Sequence, residues 1–388
     1  MDLDAAVVPF SAPDIGEDEV AAAADAWRSG WVTTGNEAAA FEREFAEFMG
    51  NNVEAIALNS ATAGLHLALE ALGVREGDEV IVPTWTFTAT AEVVRYLGAT
   101  PVLVDVDEHT LNMDLAATVR AISPRTKAVI PVHFAGRSVD VETLRRLTAG
   151  MGISIVEDAA HAIPSGRQGA RVGDAQHSDA AVFSFYANKT MTTGEGGMVT
   201  TRDQGVANRI RTMRLHGINR DVFDRYRSLG SSWRYDVVAP GYKYNLTDPA
   251  AAVGRVQLRR VKQMAQRRSI LVNLYRAGLT GLPLALPPLE GLDEEHAWHL
   301  FVVRLTDDAR VSRDEAIQGL AERGVGTSVH FIPLHRLTYW QDSLGVEASD
   351  FPVAEDAFKR VISLPLFSGM TLGQAQHVVD AVRQVIGP

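Results

Sequence analysis

Short apolar runs without polar interruption recur through the first 250 residues: VIV at 80–82, VLV at 102–104, AVIPV at 128–132 and ISIV at 153–156. A strand with one face in water alternates apolar and polar residues, whereas a run apolar at every position is buried on both faces. Between these runs lie stretches with helical spacing, among them TAGLHLALEALGV, TATAEVVRYLGA and DVETLRRLTAG. Strands separated by helices of that length are joined by crossovers, which makes them parallel and covers the sheet. Two more helices are read ahead of the first strand, DEVAAAADAWRSG and NEAAAFEREFAEFMG, the second with Phe41, Phe45 and Phe48 on one face.

From Arg255 the pattern changes. RVQLRRVKQMAQRRSILVNLYRAGL reads as one long helix, closed by the proline-rich LPLALPPLEG. Then come a strand, HLFVVRL, and a helix opened by the capping box of Ser312 and Glu315. VGTSVHF is expected as a strand, followed by two helices, the last opened by Thr371 with Gln374 three residues on. The expected division is a large α/β unit over 1–254 and a smaller α+β unit over 255–388, the latter including the long linking helix. At about 150 residues per domain, a 388-residue chain has room for both.

Several function classes are excluded by composition. A net charge of -11 does not suit a protein that coats nucleic acid, although a small anion feels only the local field. With no cysteine, disulfides, thiolate nucleophiles and cysteine metal sites drop out. His330 with His335, and His296 with His299, lack a third ligand and the usual zinc spacing, so no metal is expected. No apolar run reaches the roughly 18 to 20 residues of a membrane span. MDLDAAVVPF has no basic region ahead of an apolar core, so the expected location is the cytoplasm.

Four features meet at the carboxyl edge of the expected sheet, where open parallel sheets bind ligands. ISIV ends in Glu157 and Asp158, and AAVFSF leads at once to Lys189 and a glycine-rich loop. By itself a carboxylate at a strand end is most often a helix cap, and a loop lysine is most often solvated. Lys189 is, however, one of only five lysines in an arginine-rich chain, and only a primary amine forms a Schiff base. The turn of small residues at Ser60, Ala61, Thr62, Ala63 and Gly64 opens a helix and offers backbone N–H groups to a phosphate. Phe87 follows another strand and supplies a flat ring. Phosphate seat, stacking ring, carboxylate and amine are together the parts of a pyridoxal 5'-phosphate site. The glycines at 194, 196 and 197 let the loop after Lys189 pack closely.

The chain resembles the DegT/DnrJ/EryC1/StrS family of nucleotide-sugar aminotransferases, whose fold is the fold-type I transferase with a seven-stranded sheet. GWVTTG, SATAGLHLAL, VEDAAHA, SFYANKTMTTGEGGM, RLHG, PGYKYNLTDPAAAVGRVQL and VHFIPLH carry the resemblance, in order, over nearly the whole length. It implies Lys189 as the lysine that binds the cofactor aldehyde, Asp158 at the pyridine nitrogen and Phe87 stacked on the ring. His161 lies near the ring oxygen, where many relatives have glutamine. Ala61, Thr62 and Ser184 hold the phosphate, and Asn245 reaches the phosphate of the neighbouring subunit in a homodimer. Trp31, Tyr186, Lys243 and His330 line the sugar side. Arg209, Arg211, Arg214, Arg220, Arg225, Arg227 and Arg234 are further cations for a diphosphate. The implied reaction moves an amino group from glutamate, leaving 2-oxoglutarate, to a nucleotide-linked 4-keto-6-deoxy sugar such as dTDP-4-keto-6-deoxyglucose, at C4. Amination at C3, a dehydratase and a non-catalytic regulator on the same fold remain open; retention of Lys189, which dehydrating relatives replace by histidine, favours transamination.

Overall fold

The computed structural model describes residues 7–219, 235–289 and 295–387. Helices α1 (Glu17–Arg28) and α2 (Asn36–Met49) precede strand β1 (Glu54–Leu58) and α3 (Ala61–Ala71). Then come β2 (Glu79–Pro83), α4 (Ala89–Tyr96), β3 (Thr100–Val104), α5 (Leu115–Arg120), β4 (Thr126–Val129), α6 (Val141–Leu147) and β5 (Ser154–Asp158). A two-stranded ribbon of β6 (Gly166–Arg167) and β7 (Ala170–Arg171) leads to β8 (Ala180–Ser184), β9 (Gly197–Thr201) and α7 (Gln204–Met213).

Seven of these strands form one sheet in the order β1-β9-β8-β5-β4-β2-β3. The pairs β2–β3, β2–β4, β4–β5 and β5–β8 are parallel, while β9 runs antiparallel to both β8 and β1. The expected mostly parallel sheet is therefore present. Its six co-directional strands end at one edge, with Leu58, Pro83, Asp158 and Ser184 among their last residues. The runs in the interior of the sheet are buried on both faces, Val80, Ile81, Val82, Ile155, Val156 and Val182 being fully buried, whereas VLV forms the edge strand β3, where Val102 and Leu103 are only partly buried.

Helix α8 runs from Asp248 to Leu279, starting seven residues earlier than the charge-rich stretch at Arg255 suggested. Pro249 in its first turn suits a helix start, and Asp248 also caps α2 by accepting from Gly35 N (2.7 Å) and Ala38 N (3.1 Å). Both α1 and α2 pack on α8. A second sheet of three antiparallel strands follows, β10 (Leu284–Ala285), β11 (Phe301–Leu305) and β12 (Val361–Leu364). Helices α9 (Arg313–Ala321), α10 (Thr338–Leu344), α11 (Pro352–Arg360) and α12 (Leu372–Ile386) accompany it. The capping boxes at Ser312/Glu315 and Thr371/Gln374 both form.

Three local expectations fail, the first being that two helices follow VGTSVHF: there are three, α10, α11 and α12. VGTSVHF makes only isolated bridges, Val8 to Val325 and Ser328 to Ser363. The N-terminal segment crosses there so closely that a Cβ on Gly326 would lie 2.8 Å from Phe10 N, which leaves no room for an extended ladder. Strand β12 went unread because its four residues, three of them apolar, directly continue amphipathic α11, and periodicity does not separate so short a strand from a helix end. Val8 shares the apolar cluster of the smaller sheet. Asp105, just past β3, caps α11 through Val353 N (2.9 Å) and Ala354 N (3.0 Å).

Candidate active site

Three antiparallel pairings lay out the sheet edge. Ser184 is registered with Gly197, Gly197 with Leu58, and Leu58 with Asn245. At about 4.8 Å per strand, Ser184 and Asn245 stand roughly 15 Å apart along this row. On the other side of β8, Asp158 is registered with Val182, two residues short of Ser184. The chain then turns, Lys189 N donating to Tyr186 O (3.0 Å), which folds Lys189 back over the ends of β8 and β5.

Asp158 is 6% exposed and held by two donors, Thr90 Oγ1 to one oxygen (2.8 Å) and Ala160 N to the other (3.2 Å). Thr90 is itself paired with Thr86 (2.7 Å). Burial pushes the Asp158 carboxyl above its ordinary range, against the pull of Thr90, Ala160 and the Lys189 charge. Such a carboxylate lacks charge compensation and suits a cation beside it. Water reaches part of the Lys189 side chain, while its amine is desolvated by burial. This burial brings its pKa down to about 8, opposed by Asp158. About a tenth of such amines are neutral at pH 7, several hundredfold more than for an unperturbed lysine.

Imidazoles line the remaining wall. His161 accepts from Ala135 N at Nδ1 (3.3 Å), so its neutral ring carries the proton on Nε2. Burial, with the nearby Lys189 charge, holds it well below the usual histidine range. Burial likewise brings His330 down to about 4, and its Nδ1 lies 3.0 Å from Ser363 Oγ. Phe331 stacks near His161 (5.8 Å, 19°), and Phe87 lies 6.5 Å from Phe331 between ring centroids. Phe87 is 62% exposed, which a core aromatic is not: its ring is presented to the edge. Tyr186 is exposed there too.

At the start of α3, Ser60 Oγ accepts from Ala63 N (3.1 Å), and the first intrahelical bond is Gly64 N to Ser60 O. The N–H groups of Ala61 and Thr62 precede that bond, as donors of a first helical turn do. A Cβ on Gly197 would lie 2.6 Å from Ser60 O and 2.7 Å from Ala61 N, so only glycine lets β9 run directly beneath this turn. The close packing expected of the glycine loop is thus directed at the anion seat.

Trp31, Lys243 and Asn245 do not join this group within the chain. Trp31 donates through Nε1 to Thr34 O (3.1 Å), and Asn245 Nδ2 donates to Thr34 Oγ1 (2.7 Å). Lys243 and Asn245 line a separate cleft of about 330 Å³ with Thr33, Thr34, Arg211 and Arg214. Arg209, Arg211 and Arg214 are taken up by ion pairs with Glu70, Glu54 and Glu42. Arg220, Arg225, Arg227 and Arg234 lie outside the described residues.

Sequence reasoning missed Thr86, Thr90, Phe331 and, as a site neighbour, His299. TFTATA placed two hydroxyls one helical turn apart beside a strand end, a signal available but shared with any N-terminal cap. His299, 4% exposed, lies 4.2 Å from His161 between ring centroids, which only the meeting of the two sheets reveals.

Residues 13–383 match the profile of the DegT/DnrJ/EryC1/StrS aminotransferase family. The chain belongs to that family. The spore coat polysaccharide biosynthesis protein SpsC of Bacillus subtilis (strain 168) is 42% identical over 381 residues, 98% of this chain and 97% of its own. Spr1654 of Streptococcus pneumoniae, assigned as a sugar aminotransferase and solved in its pyridoxamine phosphate form, superposes with a TM-score of 0.90. It is 35% identical over 97% of this chain and 98% of its own. Its pyridoxal phosphate form gives 0.88 at 34% identity, with the same shares covered. Helicobacter pylori PseC, an aminotransferase involved in the biosynthesis of pseudoaminic acid, gives 0.89 at 27%, covering 98% of this chain and 99% of its own. The protein is thus a pyridoxal phosphate-dependent sugar aminotransferase with the fold of its relatives. The residues present suit that cofactor: a buried, undercompensated carboxylate, an amine brought toward neutrality and a helix start over a glycine cradle.

Proposed function

We propose that the enzyme transfers the amino group of glutamate to C4 of a nucleotide-diphosphate 4-keto-6-deoxy sugar, dTDP-4-keto-6-deoxyglucose being the first to try, as a cytoplasmic homodimer. The observation that carries the chemical part is Lys189 beside Asp158 at one sheet edge, the amine lowered to about 8 and the carboxylate locked by Thr90 and Ala160. Pyridoxal phosphate supplies the aldehyde that carries the amino group and a ring that accepts the electron pair released at the substrate carbon.

In this reading Asp158 would pair with the pyridine nitrogen and keep it protonated. Phe87 would stack on the ring, and His161 would donate from Nε2 to the ring oxygen. Ala61, Thr62 and Ser184 would hold the phosphate, together with Asn245 of the second subunit. Lys189, its Nζ neutral, takes the proton from the donor's α-carbon and returns one to the sugar carbon. Trp31, Tyr186, Lys243 and His330 contact the sugar nucleotide. The unit over 1–254 carries the cofactor, and the unit over 255–388 closes the site through the His330 loop. The relative named for polysaccharide synthesis supports an activated sugar as substrate.

Incubation of the pure enzyme with glutamate and a panel of nucleotide keto sugars, analysed by mass spectrometry and NMR, tests this. A 4-amino product is expected. A 3-amino product overturns the regiochemistry, and no amination of any sugar overturns the substrate class.

A further inference from the structure

Three segments distant in sequence meet behind His161. Residues 133–136 follow β4, residues 161–165 follow β5, and residues 297–300 lead into β11 of the smaller sheet. The Ala135 peptide lies at their centre. Its N–H donates to His161 Nδ1 (3.3 Å), and its carbonyl accepts from His299 N (3.1 Å) and Leu300 N (3.4 Å). Ser165 Oγ fastens the same junction, donating to Gly136 O (2.7 Å) and accepting from Ala297 N (3.0 Å). Gly136, at φ +95°, lies so close that a Cβ would meet Ala297 Cβ at 3.0 Å and His161 O at 3.1 Å.

Two non-glycine residues here are left-handed, Ala135 (φ 57°) and Trp298 (φ 45°). Such a setting persists only where its surroundings over-determine it. Arg268 of α8 adds to the fastening by donating to Trp298 O (3.2 Å) and Leu366 O (2.8 Å). The ring of His299 lies 4.2 Å from that of His161, its own Nδ1 buried without a hydrogen-bond partner among the described residues. Strain and an unsatisfied nitrogen thus converge on the one ring whose proton position the Ala135 N–H decides.

We propose that the Ala135 peptide, gripped by His299 and Leu300, is the positioning element that holds His161 as the Nε2–H tautomer, and that His299 is the smaller sheet's contribution to it. An acceptor at Nδ1 leaves Nε2 as a donor, so His161 can only donate toward the cofactor's ring oxygen. This rests on the reading that His161 faces the cofactor. It adds that the setting depends on the smaller sheet being docked on the larger.

The test is ¹⁵N NMR of histidine-labelled protein without cofactor at neutral pH, with His161→Gln to assign the signal. The wild type is expected to show one tautomer, protonated at Nε2. His299→Ala, with its fold checked by circular dichroism, is expected to give a mixture, and His299→Phe, which keeps an aromatic ring against His161, to retain the wild-type setting. With cofactor, His299→Ala is expected to shift the absorption band and lower kcat roughly tenfold at unchanged KM, as loss of one oriented donor does. A tautomer mixture in the wild type overturns the positioning by Ala135, and one tautomer undisturbed in His299→Ala overturns the share assigned to the His299 ring. A cofactor spectrum indifferent to His161→Ala overturns the underlying reading instead, whatever the tautomer data show.

Discussion

At the Lys189 edge, polar side chains are turned toward one another: Thr86 pairs with Thr90, Thr90 with Asp158, and the Ala135 N–H with His161. In the cleft around Lys243 and Asn245 they are turned toward the scaffold: Asn245 ties down Thr34, and Arg211 and Arg214 pair with Glu54 and Glu42. The first region is pre-oriented within one chain, the arrangement that proton transfer requires, since a misplaced base loses rate steeply. The second is an open concavity whose arginines are spoken for. Asp158, Thr90, Lys189 and His161 are brought together within one subunit, whereas Lys243 and Asn245 stand at a cleft of their own.

The sharpest way to break that contrast is at Lys189 itself. Lys189→Ala is expected to lower turnover by about 10³-fold or more, since both nucleophile and base are lost. It is also expected to abolish the absorption band of the lysine-bound cofactor. Turnover near wild type would show that the edge is not the reacting centre. Asp158→Asn should lower kcat by about 10²-fold, and Thr90→Val by about tenfold, because the hydroxyl orients the carboxylate without replacing its charge. An equal loss in both would mean that Thr90 acts on the cofactor directly.

Such a locked edge was legible in the chain only in part. Asp158 and Lys189 could be read because strand ends, amine chemistry and the scarcity of lysine speak through residue type. The six co-directional strands could be read from buried runs. Strand β9 could not, because GGMVT carries too short an apolar pattern after two glycines, and its reversal is settled by the fit of Gly197 under Ser60. Thr90 was invisible because a threonine at a helix start serves equally well as a cap. The left-handed setting of Ala135 leaves no trace in residue type at all, since alanine there is favoured by nothing local. The register that carries Asn245 away from Ser184 needs three pairings, none of them encoded near either residue.

Stability of the cofactor-free protein sharpens the comparison from the other side. Burial lowers Lys189 to about 8 from an ordinary 10.5, so the folded state disfavours its charged form. Below pH 8 both states carry the proton and the folded one bears the full penalty. Between 8 and 10.5 the unfolded chain holds a proton that the folded chain has released, so stability rises with pH across this window. The gain from this group is at most about 3 kcal/mol, at 1.36 kcal/mol per unit. Thermal or urea unfolding should show the rise in wild type and a smaller one in Lys189→Met, which should also be the more stable at pH 7. Equal slopes in the two proteins would mean that the amine is solvated, and the edge no more closed than the cleft.

The smallest expected effect asks whether the cleft belongs to the reaction at all. Lys243→Ala should raise KM for the sugar nucleotide about tenfold with kcat little changed, the mark of lost uniform binding to an exposed charge. The half-reaction with glutamate should be untouched. If the cleft completes the neighbour's site, mixing Lys189→Ala chains with Lys243→Ala chains creates a hybrid dimer. One of its two sites combines an intact Lys189 from one subunit with an intact Lys243 from the other. Kinetics of the mixture should then contain a component with wild-type KM that neither parent shows. If Lys243 serves its own chain's Lys189, every mixture gives only the raised KM, because no subunit then carries both residues together. The first outcome accords with Asn245 of the same cleft, which stands roughly 15 Å from Ser184 along the sheet, beyond an asparagine's reach to a phosphate held there in its own chain.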